Sequence, residues 1–177
     1  MRLFTAIQLP ENICDSIENI SHGIPGVRWT KRENIHITLS FIGDVEQNKL
    51  SLIKDILSEI HFNSFDLELS GIGQFLSMRS INTIWLGVKN PERITLLQTL
   101  IVKGLKKAGL ETEKNKYIPH LTLARLKHVS INKIQEYMEE FSLFQSDPFR
   151  VNEFYLYSSK LYPDGPVHTV EKEFFLN

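Results

Sequence analysis

Ile35-His36-Ile37-Thr38-Leu39 and Pro119-His120-Leu121-Thr122-Leu123 carry one tetrapeptide, His-x-Thr-Leu, twice, in an apolar and partly β-branched setting. Such runs read as strands. Side chains alternate along a strand, so His36 shares a face with Thr38, and His120 with Thr122. Ile37, Leu39, Leu121 and Leu123 then face the other way, into a core. A polar row backed by aliphatic residues describes a sheet with one dry face and one face lining a cleft. Two such rows in a chain of 177 residues predict two histidines brought together.

The flanking sequence repeats in the same sense. Residues 2–9 read as a strand, and Ile13, Ile17 and Ile20 mark a helix over 10–21 with Pro10 at its start. Ala6 to Ile13 lines up with Gly87 to Ile94, each a strand followed by Pro-Glu-x-Ile opening a helix. Each histidine strand is followed by a helical pattern, over 46–60 and about 131–141, and then by a strand beginning at Phe65 or Phe149. Ser130 reads as the cap of the second of these helices, with His128 just before it. Val27-Arg28-Trp29 reads as a short strand, Gly71 to Phe75 as a turn or bulge, and 83–88 as a strand. Two more strands follow at 153–159 and 169–176, separated by the turn Pro163-Asp164-Gly165-Pro166. The expected architecture is α+β: one domain over 1–177 made of two pseudo-symmetric, internally duplicated lobes. Each lobe is a mainly antiparallel sheet with outer helices, and a cleft lies between them.

Composition narrows the function classes. A hydrophobic share of 42% with 23% charged residues is that of a globular chain rather than a disordered one. The formal net charge of −1 gives no overall field for coating a nucleic-acid duplex, yet leaves room for gripping one phosphate at a strand end. Cys14 is the single cysteine, so no intrachain disulfide or cysteine-based zinc site is expected. No metal and no cofactor are called for by the residue spacing. No apolar run is long enough to span a bilayer, and Met1 leads straight into a strand-like run. The expectation is a cytoplasmic protein with no membrane association and no obligate protein partner.

Two facing His-x-Thr pairs suit phosphodiester chemistry. In-line displacement at phosphorus needs a base on the entering oxygen and an acid on the leaving one, on opposite sides of the phosphorus. Histidine, with an ordinary pKa of ~6.5, serves as either near neutral pH. A threonine hydroxyl two residues on is placed to donate to a non-bridging oxygen. A lone strand histidine followed by threonine is as a rule structural. It is the recurrence of the whole tetrapeptide, at matching places in a duplicated pattern, that singles out His36 and His120. His22, His61 and His168 lack that context and read as surface or edge residues.

The chain resembles the 2H phosphoesterases, and within them the RNA 2′,3′-cyclic phosphodiesterases, also called 2′-5′ RNA ligases. The resemblance runs through Arg2 to Ile7, Asn34 to Gly43, Gly71 to Phe75, Trp85 to Val88, His120 to Arg125 and Leu156 to Leu161. It implies hydrolysis of RNA 2′,3′-cyclic phosphate ends to 2′-phosphomonoesters without a metal. It makes His36 the proton donor and His120 the proton acceptor, with Thr38, Thr122 and Arg125 on phosphate. The two sites look equivalent in sequence, so the division of roles comes from the resemblance alone. The implied partners are RNA 3′ ends or small cyclic nucleotides. Open alternatives are 2′-5′ RNA ligation, another cyclic-nucleotide substrate, or a non-catalytic RNA-end-binding protein.

Arg125 raises a question of phase. It stands five residues after His120, so strict alternation puts it on the core face, as it does Phe41 in the first strand. A strand end or bulge near Ala124 would return Arg125 to the cleft. Phe75, Trp85, Tyr155 and Tyr157 are candidates for base stacking, and Phe75 is favoured because Gly71 and Gly73 read as a loop. Lys103, Lys106, Lys107, Lys114 and Lys116 read as a solvated helix face. His168 stands where the resemblance leads one to expect an aromatic.

Overall fold

The computed structural model describes residues 1–77, 80–113, 115–127 and 129–177, with no account of the side chains of Ser77 and Ser80. His128 and Lys114 therefore lie outside the described residues. The strands are β1 (Arg2–Gln8), β2 (Arg28–Trp29), β3 (His36–Asp44), β4 (Phe65–Ser77), β5 (Ser80–Lys89), β6 (His120–Arg125), β7 (Phe149–Val151), β8 (Glu153–Tyr162) and β9 (Gly165–Phe175). The helices are α1 (Glu11–Glu18), α2 (Leu50–Ser58), α3 (Glu92–Lys107) and α4 (Ile131–Glu140). Single 3-10 turns at Arg32–Asn34 and Gln47–Lys49 precede β3 and α2. The expected α+β architecture is present.

All strands belong to one sheet of order β7-β4-β5-β6-β3-β1-β8-β9, with β2 paired to β6. Every pairing along that order is antiparallel. The order is balanced about the β6–β3 seam, with four strands on each side. β4, which follows β3 and α2, lies in the β6 half, and β8 and β9, the last strands of the chain, lie in the β3 half. Ile37 and Leu121 are the one pair joining β3 to β6 among the described residues. Antiparallel geometry about that pair sets His36 across from Thr122 and Thr38 across from His120. The two histidine strands thus meet at their beginnings and part beyond, which opens a cleft on one face.

The other face carries the core. Ile37, Leu39, Leu121 and Leu123 pack with Ile13 and Ile17 of α1, Ile53 and Leu57 of α2, Leu97 and Ile101 of α3, and Ile134 of α4, all in one buried cluster. The helices therefore lie behind the sheet, which leaves its front for chemistry. β1 is covered on both sides: Leu3 and Ile7 enter the core, whereas Phe4 and Ala6 form a second cluster with Tyr157 on the cleft side. Ser130 occupies the N-cap position of α4, but its side chain makes no capping bond there.

Gly71 to Phe75 is not a loop. These residues run within β4, which stays paired to β5 across a register shift between Leu69 and Ile72. The glycines have two different uses. Gly71 sits at the bulge with φ +72°, a conformation that costs glycine little. Gly73 lies beneath the Trp85 ring, where a Cβ would collide with Cζ2. Among the described residues no helix is long and apolar enough to cross a membrane.

Candidate active site

Each histidine opens its strand, and each is tethered in the same way. The His36 Nδ1–H donates to the Asn34 carbonyl at 2.8 Å, and the His120 Nδ1–H donates to the Ile118 carbonyl at 2.7 Å. A carbonyl only accepts, so both tethers fix the proton on Nδ1 and leave Nε2 for chemistry. At His36 that Nε2 already meets Thr38 Oγ1 at 3.1 Å. In the neutral ring Nε2 is an acceptor, so the Thr38 hydroxyl donates to it.

A bulge in each strand settles the phase. β6 pairs Ala124 with Ile84 and Thr122 with Trp85, so Leu123 is passed over. Leu123 and Ala124 are both buried, and Arg125 returns to the face of His120 and Thr122. β3 does the same: Ser40 pairs with Thr5 and Thr38 with Ala6, passing over Leu39. Phe41 is consequently not a core residue. It is 42% exposed and faces the cleft, because the extra residue shifts the alternation by one.

A cavity of about 510 Å³ opens at the parting of β3 and β6, with Thr38, Phe41, Phe75, His120, Thr122 and Arg125 among its lining residues. Five of the six sequence candidates are thus close to one space. His36, the sixth, stands beside the lining and reaches it through Thr38. The loop between α3 and β6 closes one side with Glu113, Lys116 and Tyr117. Tyr117, which the sequence reading passed over, donates from its hydroxyl to the Thr38 carbonyl at 3.0 Å and so ties that loop to β3. Its burial pushes the phenol pKa up. Lys103, Lys106 and Lys107 are exposed on α3, whereas Lys116 leaves the expected solvated face and lines the cavity.

The aromatic candidates divide. Phe75 meets His120 edge to face at 4.8 Å, and Trp85 lies 5.9 Å from the same ring. Tyr157 stacks on Phe4 near His36 at 5.1 Å. Tyr155 is bonded through its hydroxyl to Glu153 and Glu173, at the outer strands. His168 is not a free surface residue: it packs against both His36 and Phe4. The signal for it was available, since the turn at Pro163-Asp164 fixes the β8–β9 register that brings His168 beside Ser159.

Electrostatics separate the two strand histidines. Burial pushes His36 down to about 4, with His168 and then His120 opposing its charge, against the Asn34 carbonyl. Burial also lowers His120, but there the Ile118 carbonyl and the Glu113 carboxylate favour the charged ring while Arg125 disfavours it. Arg32, just before His36, spans Glu11, Asp15 and Glu18 on α1 and anchors the entry to β3. Among the described residues no group of three or more His, Cys, Asp or Glu side chains is placed to hold a metal ion.

Comparison with known proteins bears directly on this arrangement. The family described as the 2′-5′ RNA ligase superfamily matches residues 9–162. An RNA 2′,3′-cyclic phosphodiesterase of Archaeoglobus fulgidus is 33% identical over 171 residues, covering 95% of this chain and 96% of its own. The enzyme of the same name from Methanocaldococcus jannaschii is 33% identical over 98% of this chain and 99% of its own. Among solved structures, E. coli LigT complexed with 3′-AMP superposes with a TM-score of 0.81 at 28% identity, covering 99% of this chain and 97% of that one. The family match contains both His-x-Thr strands, the two bulges and the cavity between them, and the chain belongs to the 2′-5′ RNA ligase superfamily, the 2H phosphoesterases.

Proposed function

We propose that this chain is a cytoplasmic, metal-independent hydrolase of RNA 2′,3′-cyclic phosphate ends that leaves a 2′-phosphomonoester. The observation that carries the reading is the facing pair of Nδ1-tethered histidines, each across from the other's threonine, at the edge of one cavity. The named activity of the A. fulgidus and M. jannaschii relatives supports the substrate class.

In this scheme His120 Nε2 takes a proton from water as the water oxygen attacks phosphorus. The bond from phosphorus to the ribose 3′ oxygen breaks, and that oxygen takes the proton from His36 Nε2–H. The products are a 3′ hydroxyl and a 2′-phosphate, and proton exchange with solvent resets the two rings. Arg125 and the hydroxyls of Thr38 and Thr122 hold the non-bridging oxygens, on which charge builds in the transition state. Two imidazoles are too few to hold a catalytic ion, and the scheme asks for none.

The Thr38 contact couples protonation to binding. The Thr38 hydroxyl donates to the neutral His36 ring. Once His36 is protonated, Nε2 no longer accepts from Thr38, so the hydroxyl turns to donate to a phosphate oxygen and Nε2–H is left to face the leaving oxygen. Burial pushes His36 down to about 4, so the charge that loads it is the negative charge of the bound phosphate.

The test is incubation, in chelator, with a short RNA ending in a 2′,3′-cyclic phosphate, with products resolved against 2′- and 3′-phosphate standards. A 2′-phosphate is expected. A 3′-phosphate would overturn the choice of leaving oxygen, and bound RNA without turnover would overturn the enzymatic reading. A requirement for a divalent ion would overturn the metal-free scheme.

A further inference from the structure

Four neighbouring strands each place one ring in the group around His36: His36 itself on β3, Phe4 on β1, Tyr157 on β8 and His168 on β9. His168 meets the His36 ring edge to face with centroids 5.5 Å apart, and the Phe4 ring at 4.9 Å. Its Nδ1 is buried with no hydrogen-bond partner. The hairpin that carries it pairs with β1 along β8, and one residue ties its turn end to the segment before His36. The Asn34 side-chain amide donates to the Pro166 carbonyl at 3.2 Å, two residues before His168, while the Asn34 carbonyl takes the Nδ1–H of His36. Asn34 therefore fixes the catalytic ring and its imidazole neighbour relative to each other.

Where a carboxylate behind a histidine would favour the imidazolium, this site has a second base. We propose that His168 is a positioning residue that takes the first proton on this side of the cleft and so holds His36 uncharged until an anionic phosphate binds beside it. The proposal rests on the two-histidine reading of the site. Two cations at this spacing in a part-buried setting oppose each other strongly, so the pair takes up its two protons in separate steps. His36 lies deeper and is opposed by the charge of His168, whereas burial is the one cause that lowers His168. The proton therefore goes to His168 first.

The surroundings of His168 do not reverse that order. From β3 it faces His36, from β1 Phe4, and from β8 Tyr157, with Ser159 directly across and Arg2 one strand further in the same row. From the turn before β3 comes Asn34, while Arg32 is engaged with α1 and Glu33 is exposed. On its own strand Glu171 is paired with Lys54, and Lys160 of β8 alternates to the other face.

The experiment is an imidazole nitrogen NMR titration of His36 in the wild type, in His168→Phe and in His168→Gln, beside the pH profile of kcat/KM for the cyclic-phosphate RNA. Phenylalanine keeps a ring in the group, and glutamine keeps a polar side chain without charge. The His36 midpoint is expected to rise by on the order of one pH unit in both variants, and the pH of maximal kcat/KM to rise with it. A His36 midpoint that stays or falls in both folded variants overturns the proposal, whatever the activity. A midpoint that rises in a protein that turns over no cyclic phosphate upholds the proton order and instead overturns the reading of the reaction.

Discussion

The two histidine strands share a backbone device and differ in what surrounds it. Each begins with a histidine tethered through Nδ1 to the carbonyl two residues earlier, and each bulges after the threonine. Yet His120 borders the open cavity with Phe75, Glu113 and Arg125 around it. His36 is packed among Phe4, Tyr157 and His168. The backbone supplies equivalent positions, and the side chains beyond the repeated tetrapeptide make them unequal. In-line displacement needs one ring charged and the other neutral. These surroundings by themselves disfavour charge most at His36, so the acid role proposed for that ring depends on the negative charge of a bound phosphate.

The largest expected effect comes from removing either ring. His36→Ala and His120→Ala should each lower kcat for cyclic-phosphate hydrolysis by about 10²–10⁴-fold, the range of a lost general acid or base. The comparison sharpens in the melting temperature. His120 lines a cavity, so its truncation should leave stability nearly unchanged. His36 fills a packed ring group, so its truncation should lower the melting temperature measurably. Equal melting temperatures with a large loss of activity in both would show that the two surroundings are equally yielding. Unchanged turnover in either variant would remove that ring from the mechanism.

A second comparison sets Arg125 against Phe41. The bulges bring both to the cleft at equivalent places, but one carries a cation and the other a ring. Arg125→Ala should raise KM and lower kcat/KM by about 10–100-fold, the scale of a lost charge-assisted contact to phosphate. Arg125→Lys should recover part of that loss, and Phe41→Ala should cost less than Arg125→Ala. If Arg125→Ala behaves as wild type, the arginine serves the fold and its return to the cleft has no part in phosphate binding.

These positions also show what the sequence could and could not disclose. The alternation of Ile37 and Leu39 with His36 and Thr38 carries the strand, its dry face and its polar face, because a one-sided sheet must be written that way. The helices behind it are equally plain from the spacing of residues such as Ile13 and Ile17. A bulge has no such pattern, since it is set by where the partner strand pairs. Only the Ile84–Trp85 register shows that Leu123 is skipped, and so that Arg125 turns inward. The turn or bulge read at Gly71 to Phe75 is a bulge at Gly71, whereas the ring contact of Gly73 was not legible, because it depends on where Trp85 lies. His168 was missed for the opposite reason. Its place follows from counting back along the β8–β9 hairpin, but reading histidines only by their tetrapeptide leaves that count unmade.

The smallest expected effect reads the inequality of the two rings as stability. His36 titrates at about 4 in the fold against ~6.5 in an unfolded chain, so between those values the unfolded state holds the extra proton. Its contribution is therefore fully present above pH 6.5 and is lost as the pH falls through about 4, at most on the order of 3 kcal/mol from this one ring. His120 and His168 are lowered as well and act with the same sign. Denaturant midpoints at pH 7.5 and 4.5 measure the sum, and carboxylates elsewhere enter it equally in wild type and variant. The informative quantity is the difference between proteins. His36→Gln should lose less stability on acidification than the wild type, and His120→Gln should differ from the wild type by less than His36→Gln does. Parallel acid losses in all three proteins would mean that His36 is no more deeply desolvated than His120, and the contrast between the two strands would then lie in neighbours alone.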